Sequence, residues 1–175
     1  MSYSPLFATL RAAGLIAALV STIVSTPTAA QSSDVNELRA AIVFNVLRFV
    51  DFPADKGATI EFCVASDSGE SAALRSFSGR RAGTRLVSVR TLRGSSYSGC
   101  DVVYLGSGDR DEIQRASARG RLLIGSGRNF IANGGTVGLV QSGGQVRFQL
   151  NLKAAADSQL SISSRLIRLA SKVTR

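Results

Sequence analysis

The chain is 175 residues long and carries 21 Lys and Arg against 12 Asp and Glu, with no histidine and two cysteines. Lacking histidine, it cannot run Ser-His-Asp chemistry or ligate zinc through imidazole, and two cysteines alone cannot build a Cys-rich metal site. An apolar content of 45% suits a folded globular domain and argues against disorder.

The N-terminus reads as an export signal. Arg11 is the only charge before Asp34, and residues 12–24 form an apolar run well short of the roughly 20 residues a spanning helix needs. Small residues at Ala29 and Ala30 then supply a cleavage site, so residues 1–30 are expected to be a signal peptide removed after Ala30. Residues 31–175 would form one domain with 20 basic and 12 acidic residues, a net charge of +8. Such a balance suits nucleic acid, anionic headgroups or an acidic protein face. Nucleic acid is the poorest fit, because no basic run is interleaved with aromatic stacking platforms.

In chain order, Ser32 or Ser33 is placed to cap a first helix running to about Val50. Its apolar stripe is Leu38, Ile42, Val46 and Phe49, widened by Val43, Leu47 and Val50, an arc broad enough to imply burial on more than one side. Phe52-Pro53 ends it, since the residue before proline is pushed out of the α region. Residues 59–65 read as a strand, 70–76 as a short helix and 84–91 as a second strand. After a turn-forming loop at 94–99, residues 100–105 carry consecutive apolar side chains, the pattern of a strand buried on both faces. A helix over 109–118 and a strand over 122–124 follow. Strands at 136–141 and 145–150, turned by Ser142-Gly143-Gly144, form a hairpin in which Val146, Phe148 and Leu150 alternate with polar residues. A long closing helix is expected to carry an apolar stripe of Ile162, Leu166, Leu169 and Val173, and a basic one of Arg165, Arg168, Lys172 and Arg175. The basic stripe reads as a solvated face, or as a partner-docking or headgroup-facing strip. Alternating helices and strands give an α/β class: a mixed, mostly parallel central sheet with an antiparallel C-terminal hairpin, flanked by helices on both faces.

Few residues suggest chemistry. Cys63 lies in one apolar run and Cys100 directly precedes another; in an exported chain they are placed to form a disulfide, with a redox sensor as the other reading. No flanking charge pattern marks either thiol as reactive. Asp109, Asp111 and Glu112 open a helix, where the dipole favours negative charge, and lack calcium-loop spacing. The glycine-rich loops 105–109 and 124–128 follow strands, as phosphate-binding turns do, but match no Rossmann or Walker pattern and read better as capping turns. Ser107 and Ser126 have no neighbouring base in sequence to activate them. Gly134-Gly135 is expected to supply positive φ at the hairpin entrance, and Asn151 to cap a helix or bond a neighbouring loop.

Several blocks resemble the YfiR-like family of periplasmic regulators. They are Phe52-Pro53 (Trp-Pro in many relatives), the strand opened by Cys100-Asp101, Asn129-Phe130, Gly134-Gly135, Val146-Arg147-Phe148-Gln149-Leu150-Asn151, and Ser163-Ser164-Arg165-Leu166-Ile167-Arg168-Leu169-Ala170. The resemblance runs from Ala40 to Val173 and implies a protein with no catalytic residue and no cofactor. It implies a partner, the periplasmic sensory domain of an inner-membrane diguanylate cyclase, which the regulator would bind and hold inactive. Cyclic di-GMP would fall, and release would promote biofilm formation. On this reading membrane contact comes only through the partner, nucleic acid plays no part, and a homodimer is compatible. Phe52, Pro53, Phe130, Gly134, Gly135, Phe148, Asn151, Leu166 and Leu169 would be the family's structural positions, with Arg165, Arg168 and Lys172 facing the partner. Two alternatives stand beside it. One is a binding module for a small ligand or envelope component, using the glycine-rich loops; the other is an enzyme needing two of Asp101, Asp109, Asp111 and Glu112 in one cleft.

Overall fold

A computed structural model describes residues 28–65, 69–92 and 94–175. All but the last three residues of the expected signal peptide lie outside them. Helix α1 (Thr28–Leu47) starts within Thr-Ala-Ala-Gln, so Ser32 and Ser33 lie inside the helix and not at its cap. Alanine and glutamine are good helix formers, which accounts for the upstream extension. The chain leaves the α region at Leu47, earlier than expected, and is already extended at β1 (Val50–Asp51) as it approaches Phe52-Pro53.

The remaining elements are β2 (Thr59–Val64), α2 (Gly69–Arg75), β3 (Arg81–Ala82), β4 (Arg85–Thr91), β5 (Val102–Tyr104), α3 (Arg110–Ala116), β6 (Leu122–Ser126), β7 (Val137–Ser142), β8 (Gln145–Asn151), α4 (Leu152–Asp157), β9 (Ser161–Ile162), α5 (Ser164–Leu169) and β10 (Lys172–Thr174). Eight strands form one sheet in the order β10-β8-β7-β6-β5-β2-β4-β3. Pairings β2–β4, β2–β5, β5–β6, β6–β7 and β8–β10 are parallel, whereas β3–β4 and the hairpin β7–β8 are antiparallel. Gly143 (φ 57°) and Gly144 (φ 76°) turn that hairpin, a two-residue connection requiring positive φ at both positions.

Strand alternation divides the interior into two cores. Phe62, Val64, Val102, Tyr104, Leu122 and Ile124 face α1 and α2. Cys63, Val103, Leu105 and Leu123 face the other way, against Ile113 and Ala116 of α3. Helices therefore cover both faces of a mainly parallel sheet, as the alternating element pattern predicts.

The closing segment departs from expectation. In place of one long helix the chain makes α4, a turn with Gln159 at φ 55°, β9, α5 and the margin strand β10. Ser158, Ser161, Ser163 and Ser164 interrupt the helical pattern, because their hydroxyls compete for backbone groups and favour caps over helix interiors. Ser163 caps α5, its Oγ accepting from the Arg165 amide at 3.2 Å. The two expected stripes are thus broken: Arg165 and Arg168 lie on α5, while Lys172 lies in β10, parallel to β8.

Candidate functional site

A mostly apolar concavity lies where α1, β8 and α5 meet. Ile42, Val46 and Phe49 of α1 and its exit, Val146 and Phe148 of β8, and Leu166 and Leu169 of α5 line a groove of about 330 Å³. Its origin is visible in the first helix. Val46 of the expected stripe is buried with Val43 and Leu47, which widen it, and the core-facing arc extends from them to Ala40 and Phe44. Leu38, meant for that stripe, is 49% exposed, while Ile42 and Phe49 are only half-buried. The broad apolar arc therefore serves two surfaces, the core and the groove. Leu166 is 2% exposed and plugs the groove floor; Leu169, one turn on, is 64% exposed. Exposed Arg165 and Arg168 sit beside these leucines on α5, and exposed Arg147 and Lys172 lie on the adjoining strands.

A second constellation surrounds Phe130. Its ring is 1% exposed and lies so close to two glycines that a Cβ at Gly135 would fall 2.1 Å from it and one at Gly125 2.2 Å. Gly108 approaches the same ring, and the Gly125 site is also blocked by the Gly106 carbonyl. The glycine-rich loops are thus packed against an aromatic side chain of this chain. Only Gly134 of the expected pair takes positive φ, at 108°; Gly135 is needed for close approach instead. Asn151 does both things foreseen for it: Oδ1 accepts from the Ala154 amide at 3.0 Å and Nδ2 donates to the Ile131 carbonyl at 3.0 Å. The neighbouring Asn-Phe and Gly-Gly blocks are joined here by Asn151, from the end of β8.

The YfiR/HmsC-like family profile matches residues 36–171. The chain belongs to the YfiR/HmsC-like family. That family is one of periplasmic regulators in diguanylate cyclase signalling and is regulatory, not catalytic. Among curated proteins none matches the sequence. Two solved structures are similar to the chain. A conserved domain protein from Vibrio cholerae O1 biovar El Tor is 12% identical with a TM-score of 0.52, covering 79% of this chain and 60% of its own. The ABC domain from Streptococcus pneumonia, solved with L-Trp, is 11% identical with a TM-score of 0.48, covering 79% and 61%. The chain spans about three fifths of the length of these structures. The first supports an α/β fold and nothing finer.

Within this YfiR/HmsC-like domain the Cys-Asp block has a structural account. Cys63 of β2 and Cys100 are joined, with Cα atoms 5.8 Å apart, and both are buried. Asp101 accepts from the Glu61 amide at 3.0 Å and pairs with Lys56 at 2.7 Å. Phe52 and Pro53 sit at the same end of the sheet: Arg85 stacks on the Phe52 ring at 5.5 Å, and Pro53 lies against Gly120. Asp109 caps α3 by accepting from the Glu112 amide at 2.7 Å, well away from Asp101, which precedes β5. Among the described residues no three of His, Cys, Asp and Glu come together in a way that could hold a metal ion.

Three polar devices escaped sequence reading. Arg121 donates to the carbonyls of Cys100 (3.0 Å), Ala116 (2.7 Å) and Tyr97 (2.7 Å), pinning the 94–100 loop to the end of α3, and burial lowers its pKa. An arginine directly preceding the buried run Leu122-Leu123-Ile124 was the available signal. Arg39 ties three elements together, pairing with Glu70 of α2 at 2.5 Å and donating to Gln141 of β7 at 3.4 Å.

The third device is Tyr104, whose hydroxyl meets Ser126 Oγ at 2.9 Å at the carboxyl ends of β5 and β6. Burial pushes the Tyr104 hydroxyl up to about 12, with the Glu70 charge adding to the rise and Ser126 and Arg39 opposing it. An unfolded tyrosine ionises near pH 10, so the stability tied to neutral Tyr104 is complete below that pH. It is lost as pH rises from about 10 to about 12, by roughly 2–3 kcal/mol. Urea unfolding at stepped alkaline pH should show this slope, and Tyr104→Phe should flatten most of it. Tyr97, also raised chiefly by burial, leaves a residue of the same sign.

Proposed function

We propose that the protein is exported through a signal peptide spanning residues 1–30 and acts as a mature domain of residues 31–175. There it binds the periplasmic sensory domain of an inner-membrane diguanylate cyclase and holds it inactive, lowering cyclic di-GMP. The observation that carries this reading is the apolar groove with Leu169 64% exposed at its lip and Arg165, Arg168 and Lys172 beside it, in a chain of a regulatory family. An apolar centre with a charged margin is the anatomy of a protein-docking patch. Phe148 and Leu166 would supply the floor, Leu169 the projecting anchor, and the cations the attraction for an acidic partner face, which speeds encounter. Inhibition follows if the groove fits the inactive conformation of the partner better than the active one, for only differential affinity shifts an equilibrium. The small-ligand reading is not adopted, because the Phe130 ring already fills the space beside the glycine-rich loops.

The test is a binding titration against the periplasmic domain of a membrane-bound cyclase from the same cell. Leu169→Asp should weaken binding by at least tenfold, roughly the loss of one interface anchor, while leaving thermal stability unchanged because the side chain is exposed. Deletion of the protein should raise cyclic di-GMP. Undiminished binding by the aspartate variant, or an unchanged nucleotide level on deletion, would remove the reading.

A further inference from the structure

Residues 71–100 contain six arginines and no Asp or Glu. The structure gathers several of these cations at the β3–β4 margin of the sheet, where Arg48 from the end of α1 joins them. Arg48 and Arg85 line one small cleft of about 210 Å³ between α1 and the β3–β4 turn. Arg48 also lines the neighbouring groove with Arg80, where the carboxylates of Asp34 and Glu37 lie as well. Arg81, on β3, is exposed and pairs in register with Leu86, which is 38% exposed. Among the described residues Arg48, Arg80, Arg81 and Arg85 form no ion pair. One carboxylate, that of Asp51, lies in the Arg48–Arg85 cleft.

Two of these cations are held in place without being neutralised. The Arg80 guanidinium lies 4.8 Å from the ring centroids of both Phe44 and Phe77, themselves stacked at 4.7 Å. Arg85 lies 5.5 Å over Phe52. Cation–π stacking fixes a guanidinium plane and leaves its edge N–H donors for an outside acceptor, and a planar fork of donors suits phosphate.

We infer that the β3–β4 margin is a contact surface for an anionic phospholipid bilayer. A bilayer fits better than an acidic protein for two reasons. A strand edge dense in arginine resists extension by a partner strand. A single exposed leucine among cations matches a headgroup layer with an acyl boundary beneath it. β3 and β10 close opposite margins of the sheet, so lipid contact here leaves the α5 groove open. The protein would thus touch the membrane directly, and not only through its partner. This inference stands apart from the proposed function, since vesicle binding needs no cyclase.

Exported protein is sedimented with vesicles of phosphatidylglycerol and phosphatidylcholine, and with phosphatidylcholine alone. Binding is expected only with phosphatidylglycerol, and weaker in high salt. Each arginine removed from a surface contact should lower partitioning roughly fivefold, so Arg48→Gln, Arg81→Gln and Arg85→Gln combined should lower it ~100-fold. Arg48→Lys and Arg81→Lys combined, which leave the stacked Arg85 in place, should stay within about threefold of the parent, which separates loss of charge from loss of fold. Arg165→Gln, Arg168→Gln and Lys172→Gln combined carry the same charge change and should have a much smaller effect. Equal losses from the two triple variants would reduce the effect to net charge and overturn the inference. So would indifference to phosphatidylglycerol, or vesicle indifference combined with arginine-dependent binding of poly-glutamate, which would assign the margin to an acidic polypeptide.

Discussion

Gly135→Ala is expected to destabilise the domain by roughly 3 kcal/mol, the upper range for forcing one carbon into a packed core. The added methyl would lie 2.1–2.7 Å from three atoms of the Phe130 ring, which is 1% exposed and boxed in by Gly125 and Gly108. The ring has nowhere to retreat without moving the β6 loop that encloses it. The backbone at Gly135 is not in the left-handed region, so the loss would come from crowding and not from a dihedral penalty. Gly57→Ala is the control: nothing lies within 4 Å of its Cβ position, and a change within about 0.5 kcal/mol is expected there. Phe130→Leu combined with Gly135→Ala should recover part of the loss, because contacting residues couple non-additively. Urea unfolding of the four proteins decides it, and a near-neutral Gly135→Ala would refute the picture of a ring clamped between glycines.

The second large effect concerns the bridge. Replacing Cys63 and Cys100 together by alanine should cost about 4 kcal/mol, the chain-entropy value for a loop of this length. The sequence separation is 37 residues, and the loop so closed contains α2, β3 and β4. For a domain whose whole stability is on the order of 5–15 kcal/mol, the variant should be folded but marginal, with its melting temperature lowered by about 10 °C or more. Reductant acting on the parent protein should reproduce the shift. If melting is unaltered in both experiments, the bridge does not constrain the unfolded chain as the loop-closure account requires.

How far the fold could be read from the sequence depended on the range of each signal. Residues 59–65 and 100–105 declared their strands through local apolar runs, and Gly143-Gly144 declared the hairpin through the φ that its turn demands. The end of the chain was misread because Ile162, Leu166, Leu169 and Val173 happen to fall at helical spacing, while the serines between them decide the outcome locally. β10 gives little signal of its own; its three residues become a strand only because β8 presents an open edge beside them. For the candidate site, Phe148, Leu166 and Leu169 were legible as a set through resemblance alone. The contribution of Ile42, Val46 and Phe49 was not, since a wide helical arc does not say which part of it will be left uncovered. The role of Gly135 was missed for a similar reason: close approach of an aromatic ring is a tertiary fact, and the residue by itself announces only a turn.

The short antiparallel pairing of β1 with β9 carries a consequence for the order of folding. Val50 sits opposite Ile162 and Asp51 opposite Ser161, with the Ser163 amide bonded to the Phe49 carbonyl at 3.0 Å. Residues 50–51 are therefore fastened to a segment more than a hundred residues further along the chain. Contacts of such long range form slowly, because the intervening chain must first be ordered. A chain that becomes available amino-end first leaves this latch open until residues 161–163 are present, so the strands between can pair before it closes.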